Sequence, residues 1–161
     1  MAFVHLFCQS HHSSRGVASP ADLVRRARGL GYSTLGLCDE GTLAGFLELD
    51  DACRAQGLRP IFGCRIMIEG FALTGMTFPV DFLIETEQGY RNLVRMLTRY
   101  HDQGRGERHP LKTVDLIDRT QGLISVVPVD GELAKLIEMR DRSNAEKFLG
   151  EAVRIFGQGL A

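Results

Sequence analysis

Side chains able to do chemistry gather at a few points along this chain. The run Cys8-Gln9-Ser10-His11-His12, with His5 just before it, brings imidazole and thiol groups together. Imidazole and thiolate suit zinc, so His5, Cys8, His11 and His12 form one candidate transition-metal set. On a strand, however, neighbouring side chains alternate between faces, and four of them do not converge; core and surface roles are the simpler reading. Asp39-Glu40 reads either as a general acid–base pair or as two carboxylates complementing the N-terminus of the next helix. Arg15 and Arg65 are fixed cations that could balance those acids without a metal. Arg91, Arg95 and Arg99 recur every four residues and make a basic helical stripe. Such a stripe suits phosphate contacts, or is the solvated face of its helix.

The elements that must position these groups alternate between short apolar runs and helical patterns. Phe3 to Cys8 is a first strand. Ser19-Pro20-Ala21-Asp22 opens a helix with a cap, a proline at its first position and an acid three residues on. Leu23, Val24, Ala27 and Leu30 share one face of it, and Gly31 is a stop. Thr34 to Cys38 is the second strand, and Leu43 to Gln56 a helix that buries Leu43, Phe46, Leu47 and Cys53 and ends at Gly57. Ile61 to Ile68 and Val80 to Ile84 are the third and fourth strands, joined by the glycine-containing stretch Gly70 to Pro79. Gly89 to His101 is a helix with Tyr90, Leu93, Val94, Leu97 and Tyr100 inward, and Asp102 to Lys112 an exposed loop. Leu123 to Val127 is a fifth strand. Ser143 and Glu146 form a capping box for a last helix whose Ala145, Phe148, Leu149, Ala152, Val153 and Phe156 share a face. Strands alternating with helices predict a parallel α/β sheet with its ligand site at the C-terminal strand ends. After Phe156-Gly157 that layout calls for another strand, so the expectation is part of a larger fold.

Bulk properties narrow the function classes. The 161 residues include 19 Lys and Arg against 20 Asp and Glu, so nothing draws the whole molecule to nucleic acid or an anionic membrane. The length suffices for one cored domain. Met1 to His5 lacks the basic start and apolar run of a signal peptide. Cys8, Cys38, Cys53 and Cys64 show no C-x-x-C pairing, and a reduced, cytoplasmic protein without membrane partners is expected.

The order of several short motifs then carries a resemblance. Phe3 to Ser10, Gly16 to Val24, Ala27 to Tyr32, Leu37 to Gly45, Gly57 to Cys64, Gln88 to Leu93 and Gly122 to Ser125 together resemble the PHP (polymerase and histidinol phosphatase) region of bacterial DNA polymerase III alpha subunits. The resemblance runs along nearly the whole chain. It implies a parallel-stranded (β/α) barrel-like fold, incomplete at the C-terminus, with residues 1–161 as a single partial domain of a larger polymerase.

Departures from the family pattern are as informative as matches. An active PHP centre holds several divalent ions on His, Asp and Glu, and these activate water and clamp phosphate oxygens. The resemblance puts the H-x-H histidines on Phe7 and Gln9, the following aspartate on Arg15, the histidine after Asp39 on Glu40 and a strand-end glutamate on Arg65. A later histidine falls near Pro79, and a cysteine or histidine near Pro128. Of these motif acids only Asp39 persists. Phe, Arg and Pro cannot ligate a hard cation, so the expectation is a vacated site with no catalytic residues, no bound metal and no cofactor.

Two function classes follow. In the first, the segment is a non-catalytic module that supports the rest of the polymerase alpha subunit, offers a surface to a proofreading exonuclease subunit and meets DNA through the parent protein. In the second, it is a metal-dependent phosphoesterase or 3'-5' exonuclease working through unusual ligands. The first carries a geometric expectation: Arg65 within salt-bridge distance of Asp39 or Glu40.

Overall fold

A computed structural model describes residues 3–102 and 109–161, and divides the chain into two compact units, residues 1–64 and 65–161. Most of the expected loop Asp102–Lys112 falls outside the described residues.

The first unit contains β1 (His5–Cys8), α1 (Pro20–Gly29), β2 (Thr34–Glu40), α2 (Phe46–Gln56) and the start of β3 (Arg59–Glu69). Helix α1 begins as its sequence dictates: the Ser19 side chain accepts a hydrogen bond from the Asp22 amide and Pro20 takes the first turn. Gly57 ends α2 in the left-handed region, at φ 66°, where a Cβ would be strained. Val24 and Ala27 of α1 and Leu49 and Cys53 of α2 pack with Leu35, Leu37 and Leu58 in one buried cluster. Burying each large aliphatic of this set contributes about 1.5–3 kcal/mol against the entropy of ordering the chain. Leu47, expected in that core, is exposed because the buried stripe of α2 runs through Leu49 and Cys53. Strands β1 and β2 are parallel, with His5 beside Leu35 and Cys8 beside Leu37. Three steps along β1 thus match two along β2, an irregularity that shifts the chain just before Gln9.

The second unit holds the rest of β3, then β4 (Thr77–Ile84), α3 (Glu87–His101), α4 (Thr113–Leu116), β5 (Leu123–Val126), α5 (Glu132–Glu138) and α6 (Arg142–Phe156). Strand order follows the sequence from β1 to β5, and this open order closes no barrel among the described residues. Nor is the sheet all parallel. Strands β4 and β5 are antiparallel, pairing Asp81 with Val126 and Ile84 with Leu123. The reason lies in how the chain returns after α3. Leu111 makes a bridge to Ile68, α4 follows, and the Gly122 carbonyl accepts the amides of Glu85 and Thr86. Strand β5 therefore starts where β4 ends, and only an antiparallel run is open to it. After α6, Leu160 bridges Ser125 in parallel and the Ala161 amide reaches the Ser125 carbonyl at 2.8 Å.

Periodicity alone also drew the faces of α1, α3 and α6 too wide: Leu30, the residue just after α1, is exposed. Tyr90 and Val94 of α3 are exposed, while Asn92 and Met96 take the buried positions beside Leu93, Leu97 and Tyr100. Leu149 and Val153 of α6 are exposed, whereas Phe148, Ala152, Ile155 and Phe156 are inward. The α6 cap is also not Ser143: Asp141, two residues earlier, accepts from the Asn144 amide at 3.1 Å.

Asp22 and Asp141 have their carboxyl pKa values lowered, the first mainly by the Ser19 hydroxyl and the Arg25 charge, the second by the Asn144 amide. A depressed carboxyl stabilises the fold above its unfolded pKa and loses that effect as pH falls through the folded value. NMR titration is expected to place both midpoints below the ordinary 3.8, with the α1 and α6 termini loosening only below them.

Candidate functional site

In the first unit, a polar turn is built around one buried carboxylate. Asp39 lies near the C-terminal end of β2 and is almost fully buried. Its Oδ1 accepts from the Ser10 amide at 2.6 Å and the Ser13 hydroxyl at 2.8 Å, and its Oδ2 accepts from the Ser10 hydroxyl at 2.7 Å. Three of roughly four lone-pair sites on this carboxylate are thereby taken. Each serine also accepts a bond, Ser10 from the His12 amide and Ser13 from the Glu40 amide. A tight turn makes this possible, with the Ser13 amide on the Ser10 carbonyl at 2.9 Å. Gly16 packs so closely beneath it that a Cβ would stand 1.9 Å from the Ser10 carbonyl oxygen.

Charge on Asp39 is thus met by neutral donors. Replacing it with asparagine turns charge-assisted bonds into neutral ones and presents an NH2 group to donors. We expect Asp39→Asn to cost about 2 kcal/mol in chemical denaturation, with faster amide exchange at Ser10 and Glu40.

The second unit holds a charged cluster of its own. Arg65 Nε and Nη2 donate to Asp81 Oδ1 and Oδ2 at 2.7 and 2.8 Å, a two-pronged match of planar groups. Its Nη1 donates to Asp130 at 3.0 Å. Asp81 is buried, Arg65 nearly so, and Asp130 half exposed. Nearby in sequence, the buried Glu132 accepts three backbone amides, from Phe71, Ala72 and Leu73, at 2.6–2.7 Å.

The positions singled out in the sequence have uneven fates. Phe7, Gln9 and Glu40 are half-buried, and Arg15 is exposed with no ion pair among the described residues. Arg65 was expected on Asp39 or Glu40; the salt bridges it makes within its own unit are on Asp81 and Asp130, acids the sequence reading had not singled out. The basic stripe of α3 is partly neutralised: Arg91 pairs with Glu87 at 2.6 Å, Arg99 with Asp115 at 3.2 Å, and Arg95 reaches Asn92 at 3.5 Å. In the zinc set first considered, burial pushes the Cys8 thiol pKa up, which disfavours the thiolate a metal needs. His11 and His12 instead come together with Glu48.

Ser13, Asp81, Asp130 and Glu132 went unnoticed in the sequence, and Ser10 was named only as part of the run after the first strand. Asp81 left a readable trace, since a lone acid inside Val80-Asp81-Phe82-Leu83 has to find a partner when buried. The others are short polar residues beside glycines, prolines and turns, where polarity is ordinary.

Comparison with known proteins gives the family. The family model described as PHP domain matches residues 5–161. The chain is 29% identical over 161 residues to the DNA polymerase III subunit alpha of Bacillus subtilis (strain 168), covering 99% of this chain and 14% of that protein. It is 34% identical over 127 residues to the error-prone DNA polymerase of Pseudomonas fluorescens, covering 78% of this chain and 12% of that one. A putative metal-dependent phosphoesterase from Bifidobacterium adolescentis has a similar fold, with TM-score 0.56 and 15% identity over 94% of this chain and 83% of that one. An amidohydrolase from Chromobacterium violaceum, solved with bound sulfate and no metal, gives 0.58 and 13% over 95% and 84%. With motif order, α/β fold and family model in agreement, the chain belongs to the PHP domain family and is homologous to the N-terminal region of DNA polymerase III alpha and error-prone polymerases.

Proposed function

We propose that this PHP domain is a non-catalytic module of a bacterial replicative-type DNA polymerase, whose multi-metal phosphoesterase centre has been vacated. Its role is to support the polymerase and to offer a surface to a proofreading exonuclease. One observation carries the reading: Arg65, at a strand position where the family resemblance puts a metal-ligating glutamate, holds a buried carboxylate in a two-pronged ion pair. A guanidinium there supplies fixed positive charge without a cofactor, and its N–H groups offer no lone pair to a metal ion. The hydroxyl and amide donors on Asp39 work in the same direction, because most of its lone pairs are already engaged. Phe7 and Gln9 add no carboxylate or imidazole in place of the family's histidine pair.

Elemental analysis and titration with manganese and magnesium test the lost centre. The expected outcome is fewer than two tightly bound ions per chain and no hydrolysis of phosphodiester substrates in manganese. Two or more bound ions accompanied by hydrolysis would restore the phosphoesterase reading. The surface role is tested separately, by sedimentation of the chain with a purified proofreading 3'-5' exonuclease. A saturable complex is expected, and two independently sedimenting species would remove that part of the proposal.

A further inference from the structure

Metal-capable side chains converge at one point that neither Asp39 nor Arg65 explains. One ligand atom from each of His11, His12 and Glu48 lies within 4.8 Å of the other two. All three belong to the first unit. The imidazoles share the turn after β1, their ring centroids 4.3 Å apart and their planes inclined by 43°. The backbone beneath them is held: the His11 amide bonds the Ala18 carbonyl at 2.9 Å, and the His12 amide the Ser10 hydroxyl at 3.2 Å. Ser10 is itself tied to Asp39, so the buried network sets where the rings emerge. Glu48 projects from the first turn of α2. Its Oε1 receives the Ala21 amide at 3.4 Å, which orients the carboxylate while Oε2 makes no hydrogen bond among the described residues.

We propose that His11, His12 and Glu48 bind a single divalent ion of zinc-like character, with its remaining coordination positions open to solvent. Two imidazoles and a carboxylate are a donor set that borderline first-row ions favour, whereas magnesium and calcium call for oxygen ligands throughout. Tetrahedral ligands at 2.0–2.1 Å from zinc stand about 3.3 Å apart. The side chains must therefore swing inward by an ångström or so, and their exposure permits it: His11 is exposed, and His12 and Glu48 are half-buried. Ordering three rotatable side chains keeps the affinity modest, on the order of micromolar. None of the three is a position to which the family resemblance assigns a phosphoesterase metal. One ion here leaves the reading of the vacated centre untouched and is independent of it.

The test is a zinc titration of the full chain against a chromophoric chelator, with cobalt absorption as a second readout. One equivalent is expected, with tetrahedral or five-coordinate cobalt bands. His11→Ala, at an exposed position that can change without unfolding the protein, should weaken binding at least tenfold, and Glu48→Gln should do the same. His5→Ala should bind as the unaltered chain does. The proposal is overturned if no saturable equivalent binds, or if His11→Ala and Glu48→Gln retain undiminished affinity while their thermal unfolding matches the parent's. NMR offers an independent check, since ring signals of His11 and His12 should shift together and saturate at one equivalent. Shifts at His5 alone would overturn it. Ions beyond the first equivalent that survive His11→Ala bear on the vacated centre, not on this site.

Discussion

Arg65→Ala is expected to destabilise the protein by about 3–5 kcal/mol, lowering the thermal midpoint on the order of 10 °C. The size follows from burial and geometry. Asp81 is 1% exposed and Arg65 17%, so both charges have left most of their water behind. Their pairing uses two parallel N–H to oxygen bonds at 2.7 and 2.8 Å, the arrangement that best offsets desolvation. Removing the guanidinium leaves the Asp81 carboxylate without its ion pair in the sheet, and the penalty of that buried charge dominates the effect. The bond to Asp130 adds little, because that side chain is 48% exposed and the solvent screens it. Arg65→Lys should recover only part of the loss, since an ammonium cannot match both oxygens in the plane. Pairing Arg65→Met with Asp81→Asn should be far milder than Arg65→Ala alone, because no buried charge remains. Urea denaturation of these variants is the measurement. A loss below 1 kcal/mol for Arg65→Ala would mean that Asp81 is readily rescued, and that the fixed cation does not stand in for metal.

Glu132→Ala is the second large effect, expected to cost about 3–4 kcal/mol and to release the segment at residues 71–73. Its carboxylate sits in a nest of three successive amides, with the Phe71 amide on Oε2 and those of Ala72 and Leu73 on Oε1. Charge-assisted bonds of this kind contribute about 1.5–3 kcal/mol each, though water entering after truncation recovers part of the sum. Phe71 packs against Phe148 and Phe156 of α6, with ring centroids 5.7 and 5.8 Å away. One acid thus anchors both the turn between β3 and β4 and the aromatic cluster beneath it. Glu132→Gln is the discriminating variant. It keeps one acceptor oxygen but turns an amide NH2 toward a backbone N–H, so it should fall between the parent and alanine. Hydrogen exchange at Phe71, Ala72 and Leu73 should accelerate in proportion. Unchanged protection in Glu132→Ala would show that the turn is held by its own backbone.

Much of the local structure was legible because its causes are local. Ser19-Pro20 with Asp22 started α1 where the sequence placed it, and Gly57 ended α2. Caps, prolines and left-handed glycines act on the next few residues, so they can be read without knowing the rest of the chain. The ordered motifs likewise carried the family, which the matched residues 5–161 bear out. Short elements were missed: α4 spans Thr113–Leu116 and α5 Glu132–Glu138, and neither is long enough to display a periodic face. The edges of long faces also blurred. At Tyr90 and Val94, the packing of α3 and not its periodicity decided which side chains turn inward.

Partner choice was beyond any local signal. The sequence by itself determined that a cation stands at position 65 and acids at 39, 81, 130 and 132, and therefore that buried charges had to be neutralised. Only the tertiary structure decided how. Arg65 met Asp81 sixteen residues on and Asp130 sixty-five residues on, while Asp39 was met by serines twenty-six and twenty-nine residues back. The direction of β5 belongs to the same class. Alternating strands and helices suggested a parallel sheet, but the return of Gly122 to the amides of Glu85 and Thr86 set β5 antiparallel to β4. The physical reason is common to all of these. Composition fixes which groups must be satisfied, whereas hydrogen bonds and ion pairs act over a few ångströms, and which donor comes within that range depends on how distant segments of the chain pack.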